Sequence, residues 1–113
     1  MPPLAFRTLA IFATGGGFVP DYTYSGIKFD NDAADLVSIY CGATLIDRFS
    51  YSETLAAVSG HSFSVDPAHY NAVDNDNTAY FCQGTTVYNQ GITSGGKVVD
   101  DYGTPGKTNP PCP

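Results

Sequence analysis

The chain has no tryptophan and few charges: 14% of its 113 residues are Asp, Glu, Lys or Arg. That charge content is low for a cytosolic protein, and it leans the reading towards the exported β-proteins rich in Tyr, Thr, Ser, Asn and Gly. Basic residues are scarcest. Five of them, Arg7, Lys28, Arg48, Lys97 and Lys107, are scattered through a chain of net charge −6. No basic stripe exists to release counterions from a phosphate backbone, so nucleic acid is excluded as the expected partner. Long apolar runs are also missing. The longest windows, such as residues 9–13, fall far short of the roughly 20 residues a spanning helix requires. The opening "MPPLAFRTLAIFATGGG" lacks the basic head and long apolar stretch of a signal peptide.

What is present is apolar and turn-rich. With 42% hydrophobic residues, 8 Tyr and 7 Phe, the chain has the makings of one compact domain, which at this length buries roughly two-thirds of its unfolded surface. "RTLAIFA" (7–13) predicts a strand stopped by Gly15, Gly16 and Gly17. "YTYSGIKF" (22–29) alternates as a half-buried strand does, with a bulge at Gly26. "DLVSIYCGATLIDRFSY" (35–51) predicts a hairpin turning at Cys41, Gly42 and Ala43. "SETLAAVSG" (52–60) is read as a helical turn or a loop. "HSFSVDP" (61–67) places Phe63 and Val65 inward and Ser62 and Ser64 outward. "DNDNTAYFC" (74–82) is a polar turn followed by an aromatic strand, and "GGK" (95–97) is a turn. Many short strands without a long helix favour an all-β sandwich.

The chemistry-bearing residues give few patterns. Asp74 and Asp76, like Asp30, Asp32 and Asp35, carry hard oxygen ligands suited to calcium. Neither run has the glycine and glutamate of an EF-hand loop, and Asp and Asn favour turns on their own account. His61 and His69 are candidate bases, but no GxSxG or HExxH accompanies them. As lone loop histidines they are expected to face solvent. "DNTAYFC" is suggestive of the strand that bears the tyrosine corner of an antibody domain. However, Cys41 and Cys82 are only 41 positions apart, and no Trp is available to pack on a bridge between them.

Three cysteines leave one unpaired if two pair. If Cys82 joins Cys112, the closed loop of about 30 residues removes roughly 3.6 kcal/mol of unfolded-state entropy in the chain-entropy treatment. Such a bond would fasten a tail too rich in Gly and Pro to fasten itself. Cys41 is then left over. Three unrelated thiols, or a Cys41–Cys112 pair, are the alternatives.

Taken in order, "GGFVPDYTYSGIKFDNDAADLVSIYCGATLIDRFSYS", "GHSFSVDPAHYNAVDNDNTAYFC" and "YGTPGKTNPPC" resemble the later part of a bacterial lamin tail domain of the exported type. That family shows a hairpin "L-V-L-x-C-G-G-T-x-I-D-x-V-x-Y", then "S-x-S-L-D-P", "N-D-x-x-N-W-C" and "G-T-P-G-x-x-N-x-x-C". The corresponding positions here are 36–51, 62–67, 75–82 and 103–112, within an overall match of about 15–112. Tyr80 and Phe81 stand where the family usually has Asn and Trp. The resemblance implies an immunoglobulin-like β-sandwich with no catalytic residues, and apart from calcium at the aspartates above no cofactor is expected. It implies a tail running back towards Cys82, and an extracellular or cell-surface module whose partner is a protein or a surface glycan. The family's first strands, "I-x-E-I-x-x-N-P" and "E-W-x-E-L-x-N", have no counterpart. Residues 1–113 are therefore expected to be a single, N-terminally incomplete domain from a longer exported precursor. The other expectation is a self-assembling subunit, a homo-oligomer formed through an open sheet edge by strand addition from a neighbouring chain.

Overall fold

The structure is a computed structural model describing residues 5–30, 33–52 and 58–113. Among these residues it contains eight strands and three short 3-10 turns and no α-helix, so the chain is all-β. The strands pair two by two. β1 (Leu9–Ala10) runs parallel to β2 (Tyr22–Thr23); β3 (Asp35–Cys41) and β4 (Thr44–Tyr51) form an antiparallel hairpin. β5 (Phe63–Val65) pairs antiparallel with β6 (Phe81–Gln83), and β7 (Val87–Ile92) with β8 (Val98–Tyr102).

The 35–51 hairpin forms where the alternation predicts it. Gly42, at φ +59°, takes a left-handed turn conformation that residues with a Cβ adopt only at a cost. Val37 lies opposite Phe49, and Asp35 opposite Tyr51. The register slips between Ile39 and Tyr40, leaving Ile46 as the extra residue of β4.

The N-terminal expectations are corrected. Neither 7–13 nor 22–29 forms a full strand: only two residues of each enter a ladder, and their pairing is parallel. The ladder is short because β2 is bounded by a bend at Gly26, φ +77°, and β1 by a bend at Ile11. An acid holds the pair together. The Asp21 carboxylate accepts from Thr8 N at 2.8 Å, Thr8 Oγ1 at 3.0 Å and Arg7 Nη1 at 2.9 Å. The 52–60 reading lies largely outside the described residues.

The β7–β8 hairpin, which periodicity did not foreshadow, turns through residues 93–97, where Gly96 N donates to Thr93 O. It joins β5 through the residues just before that strand. Ser62 N donates to Tyr102 O at 2.8 Å, Tyr102 N to Gly60 O at 2.7 Å, and Gly84 N to Ser62 O at 2.8 Å. Ser62 thus bridges β8 on one side and the end of β6 on the other. Among the described residues, the two that are buried are the glycines at this junction, Gly84 and Gly103. A Cβ on Gly84 would meet Ser62 Oγ and the Tyr102 carbonyl, so the close approach itself demands glycine.

This junction also corrects the expected facing of β5. Ser62 and Ser64 are half-buried rather than outward, with their hydroxyls 2.7 Å apart, because the tail and β8 cover their side of the strand.

The tail returns over β5 as a strap. Gly103 N donates to Thr86 O, Asn109 Nδ2 to Val65 O, Asn109 N to Tyr70 Oη and Cys112 N to Asp66 Oδ2. Cys112 reaches Cys82 of β6, with their Cα atoms 5.7 Å apart and their sulfurs bonded. Cys41 is exposed and unpaired at the tip of the first hairpin.

Candidate functional site

Phe49 of β4 is where the first hairpin meets β5 and β6. Its ring stacks on Phe81 at 4.5 Å, and Phe81 stacks in turn on Phe63 at 4.7 Å, with interplanar angles of 18° and 17°. Phe63 is 6.0 Å from Phe49, and Tyr51 extends the row, 6.3 Å from Phe49. The strand periodicity explains the convergence. Val37, Phe49 and Tyr51 share one face of the hairpin, whereas Arg48 and Ser50 take the other. The aromatic row forms one side of a cleft of about 410 Å³, completed by Phe29, Val37 and His61. No apolar side chain among the described residues is fully buried, so the row forms a wall left open rather than a closed core.

The polar groups around the cleft are committed to the protein itself. Tyr51 Oη donates to the Asp30 carbonyl at 2.7 Å. Asp35 accepts from Leu36 N at 2.8 Å through one carboxylate oxygen and from Asp30 N at 3.1 Å through the other. These two backbone bonds hold its pKa below the ordinary carboxylate value. Burial, followed by the negative charges of Asp35 and Asp30, raises the Tyr51 phenol above its usual pKa. The rim of the cleft beside Tyr51 is therefore electronegative.

Both histidines depart from the solvent-facing expectation. His61 stacks on Tyr102 at 4.2 Å, and its Nδ1 lies 2.7 Å from the Gly84 carbonyl, so that nitrogen carries the proton in this contact. His69 stacks on Tyr80 at 3.6 Å, with Nδ1 3.0 Å from Asp74 Oδ2. A flat imidazole gains more from covering a tyrosine ring than from standing in water, and each ring is half-buried as a result. A carboxylate-oriented imidazole such as His69 supplies a base, but a covalent mechanism also needs a nucleophile aligned with it.

The calcium candidates do not converge. Asp74 is occupied by His69 and by Asn71 Nδ2 at 2.9 Å, and these bonds lower its pKa. Asp76 lies in the same 3-10 turn, Asp74–Asp76. Asp30 stands near Asp35 at the opposite hairpin, and Asp32 lies outside the described residues. Among the described residues no three or more His, Cys, Asp or Glu side chains gather to hold a metal ion. Among the described residues no helix is long and apolar enough to cross a membrane.

Comparison with protein-family models, curated proteins and solved structures finds no match.

The cleft is the feature that sequence reasoning missed. Phe63 was legible as an inward strand position and Phe81 as part of an aromatic strand, but the separations of 14 and 18 residues gave no sign that Phe49, Phe63 and Phe81 would stack together. The available signal was the run of aromatic residues Tyr80 and Phe81 before Cys82.

Proposed function

We propose that this chain is a non-catalytic, extracellular or cell-surface module that binds, anchors or scaffolds, similar to the lamin tail domains its motifs resemble. The observation that carries the reading is exposed area. The chain leaves 8035 Å² accessible, against about 6,000 Å² for a folded 12.0 kDa monomer. Large apolar side chains are among the exposed ones, with Phe12 76%, Ile39 60% and Ile46 57% exposed. Apolar surface on this scale marks interaction surfaces. The low charge and the Cys82–Cys112 bond agree with an oxidising compartment.

The partner under this reading is a protein or a surface glycan. Retention of the labelled chain on bacterial cell-wall material tests it: saturable retention displaced by unlabelled chain is expected. Retention that no excess displaces would sink the reading, as would hydrolytic activity that His61→Ala or His69→Ala abolishes.

One observation favours a second reading. The ladders are two-stranded, and pairs of this kind have outer edges with backbone groups available to a further strand. Strand addition between copies would make the chain a fibre subunit. Sedimentation across a hundredfold concentration range separates the two, since a folded monomer throughout excludes the fibre.

A further inference from the structure

The aromatic cleft has three properties that together specify an occupant. First, its walls are mostly aromatic. Phe49, Phe81 and Phe63 form a triangular cluster with Tyr51 beside Phe49, and the cleft volume of about 410 Å³ suits a small ligand. Second, the lining is poor in hydrogen-bonding atoms: among its side chains only Tyr51 and His61 carry any. Tyr51 Oη donates to the Asp30 carbonyl and His61 Nδ1 to Gly84 O, while Asp35 beside Tyr51 accepts from two backbone N–H groups. Third, the charge beside it is negative. Asp35 and Asp30 flank Tyr51, while Arg48 of β4 lies on the opposite face of the hairpin, bonded to Ser38 Oγ and Tyr40 Oη.

Each property removes a class of ligand. An anion is repelled by the rim. A primary ammonium has three N–H donors to satisfy, and among the lining side chains only Tyr51 and His61 carry acceptor atoms. A neutral apolar group fills the space without using the charge. A cation that is apolar on its outside and needs no hydrogen bond uses all three, and ring faces attract such a cation electrostatically. We infer that the cleft bounded by Phe49, Phe63, Phe81 and Tyr51, with Asp35 at its rim, binds the quaternary ammonium group of a ligand that is a net cation, such as choline or a trimethylated lysine side chain. This rests on the binding-module reading and names the chemistry the module recognises.

The test is an amide-resolved NMR titration of the intact chain with choline, with its neutral isostere 3,3-dimethyl-1-butanol, and with phosphocholine. Choline should saturate, shift the amides of Phe49, Tyr51, Phe63 and Phe81, and bind about tenfold more tightly than the alcohol. Phosphocholine should bind more weakly than choline, because its phosphate meets the acidic rim. Phe81→Leu keeps an apolar wall but removes a ring, and should erase the preference for choline over the alcohol. Asp35→Asn removes the charge together with one of the two backbone hydrogen bonds, and should weaken choline about threefold while changing the alcohol by less, providing a second readout if the Leu variant folds poorly. Equal affinity for choline and the alcohol would overturn the cation assignment and leave a binding cleft in place. Phosphocholine binding as well as choline would overturn the charge argument, and absence of saturable choline binding would overturn the site. Chemical turnover of a probe would instead count against the non-catalytic reading beneath it.

Discussion

The strapped junction and the aromatic cleft share strand β5, and they are built on opposite economies. At the junction, Ser62, Gly84 and Gly103 bring backbones close enough to bury the glycines, and the tail satisfies Val65 O, Asp66 and Tyr70 in passing. On the cleft side, Phe49, Phe63 and Phe81 stack on one another and remain only half-buried. Small residues and hydrogen bonds therefore close one region, while large apolar residues leave the other open. Residue size alone does not decide where a protein is sealed: sealing needs a second layer, and only the junction has one.

Four experiments would break or sharpen that contrast. The largest effect is expected from the strap. Cys82→Ala with Cys112→Ala should lower unfolding free energy by about 3.6 kcal/mol in urea titrations; a loss below about 1 kcal/mol would show that Asn109 and Asp66 hold the tail unaided. Gly84→Ala comes next, at about 1–3 kcal/mol, since the new methyl meets both Ser62 Oγ and, at 3.0 Å, the Tyr102 carbonyl. Adding Ser62→Ala should recover only part of that loss, because the carbonyl stays.

Phe63→Ala tests the open side. A closed core would lose about 3–5 kcal/mol for such a truncation, whereas a half-exposed ring should lose about 1–2. A measured loss in the higher range would mean that something covers the cleft in solution, and the contrast would fail. The smallest effect concerns acid. Bonds from Ala68 N and then Cys112 N hold the Asp66 carboxyl below its ordinary value. Its contribution is therefore present above the unfolded carboxylate pKa, near 3.9, and is lost as pH falls through the lower folded value. Melting temperature followed from pH 5 to pH 2 should fall less steeply in Asp66→Asn than in the native chain.

The sequence was most informative where a local rule sufficed. The 35–51 hairpin follows from alternation and one turn glycine, and the short strand Phe81–Gln83 lies within the aromatic stretch that predicts it, although Thr78–Tyr80 before it forms a 3-10 turn. Residues 7–13 and 22–29 had comparable patterns and formed only two-residue ladders, because a strand also needs a partner of matching length. The β7–β8 hairpin was hidden for the converse reason. "VYNQGI" and "VVDDY" carry polar residues on both faces, and they are held partly by Asn89 Nδ2 to Asp101 and Gln90 Nε2 to Asp100, cross-strand bonds that hydrophobic periodicity does not register. The cleft was least legible, since it depends on how hairpins separated in the chain come together.

The bond between Cys82 and Cys112 encloses the whole β7–β8 hairpin, including Lys97 at its exposed turn and Lys107 in the strap. A trypsin-like protease that cut after either lysine would sever the polypeptide without releasing a piece, since both ends stay tied through the sulfurs. In surroundings rich in secreted proteases, the last third of this chain would survive nicking as a two-chain molecule whose damage shows only after reduction.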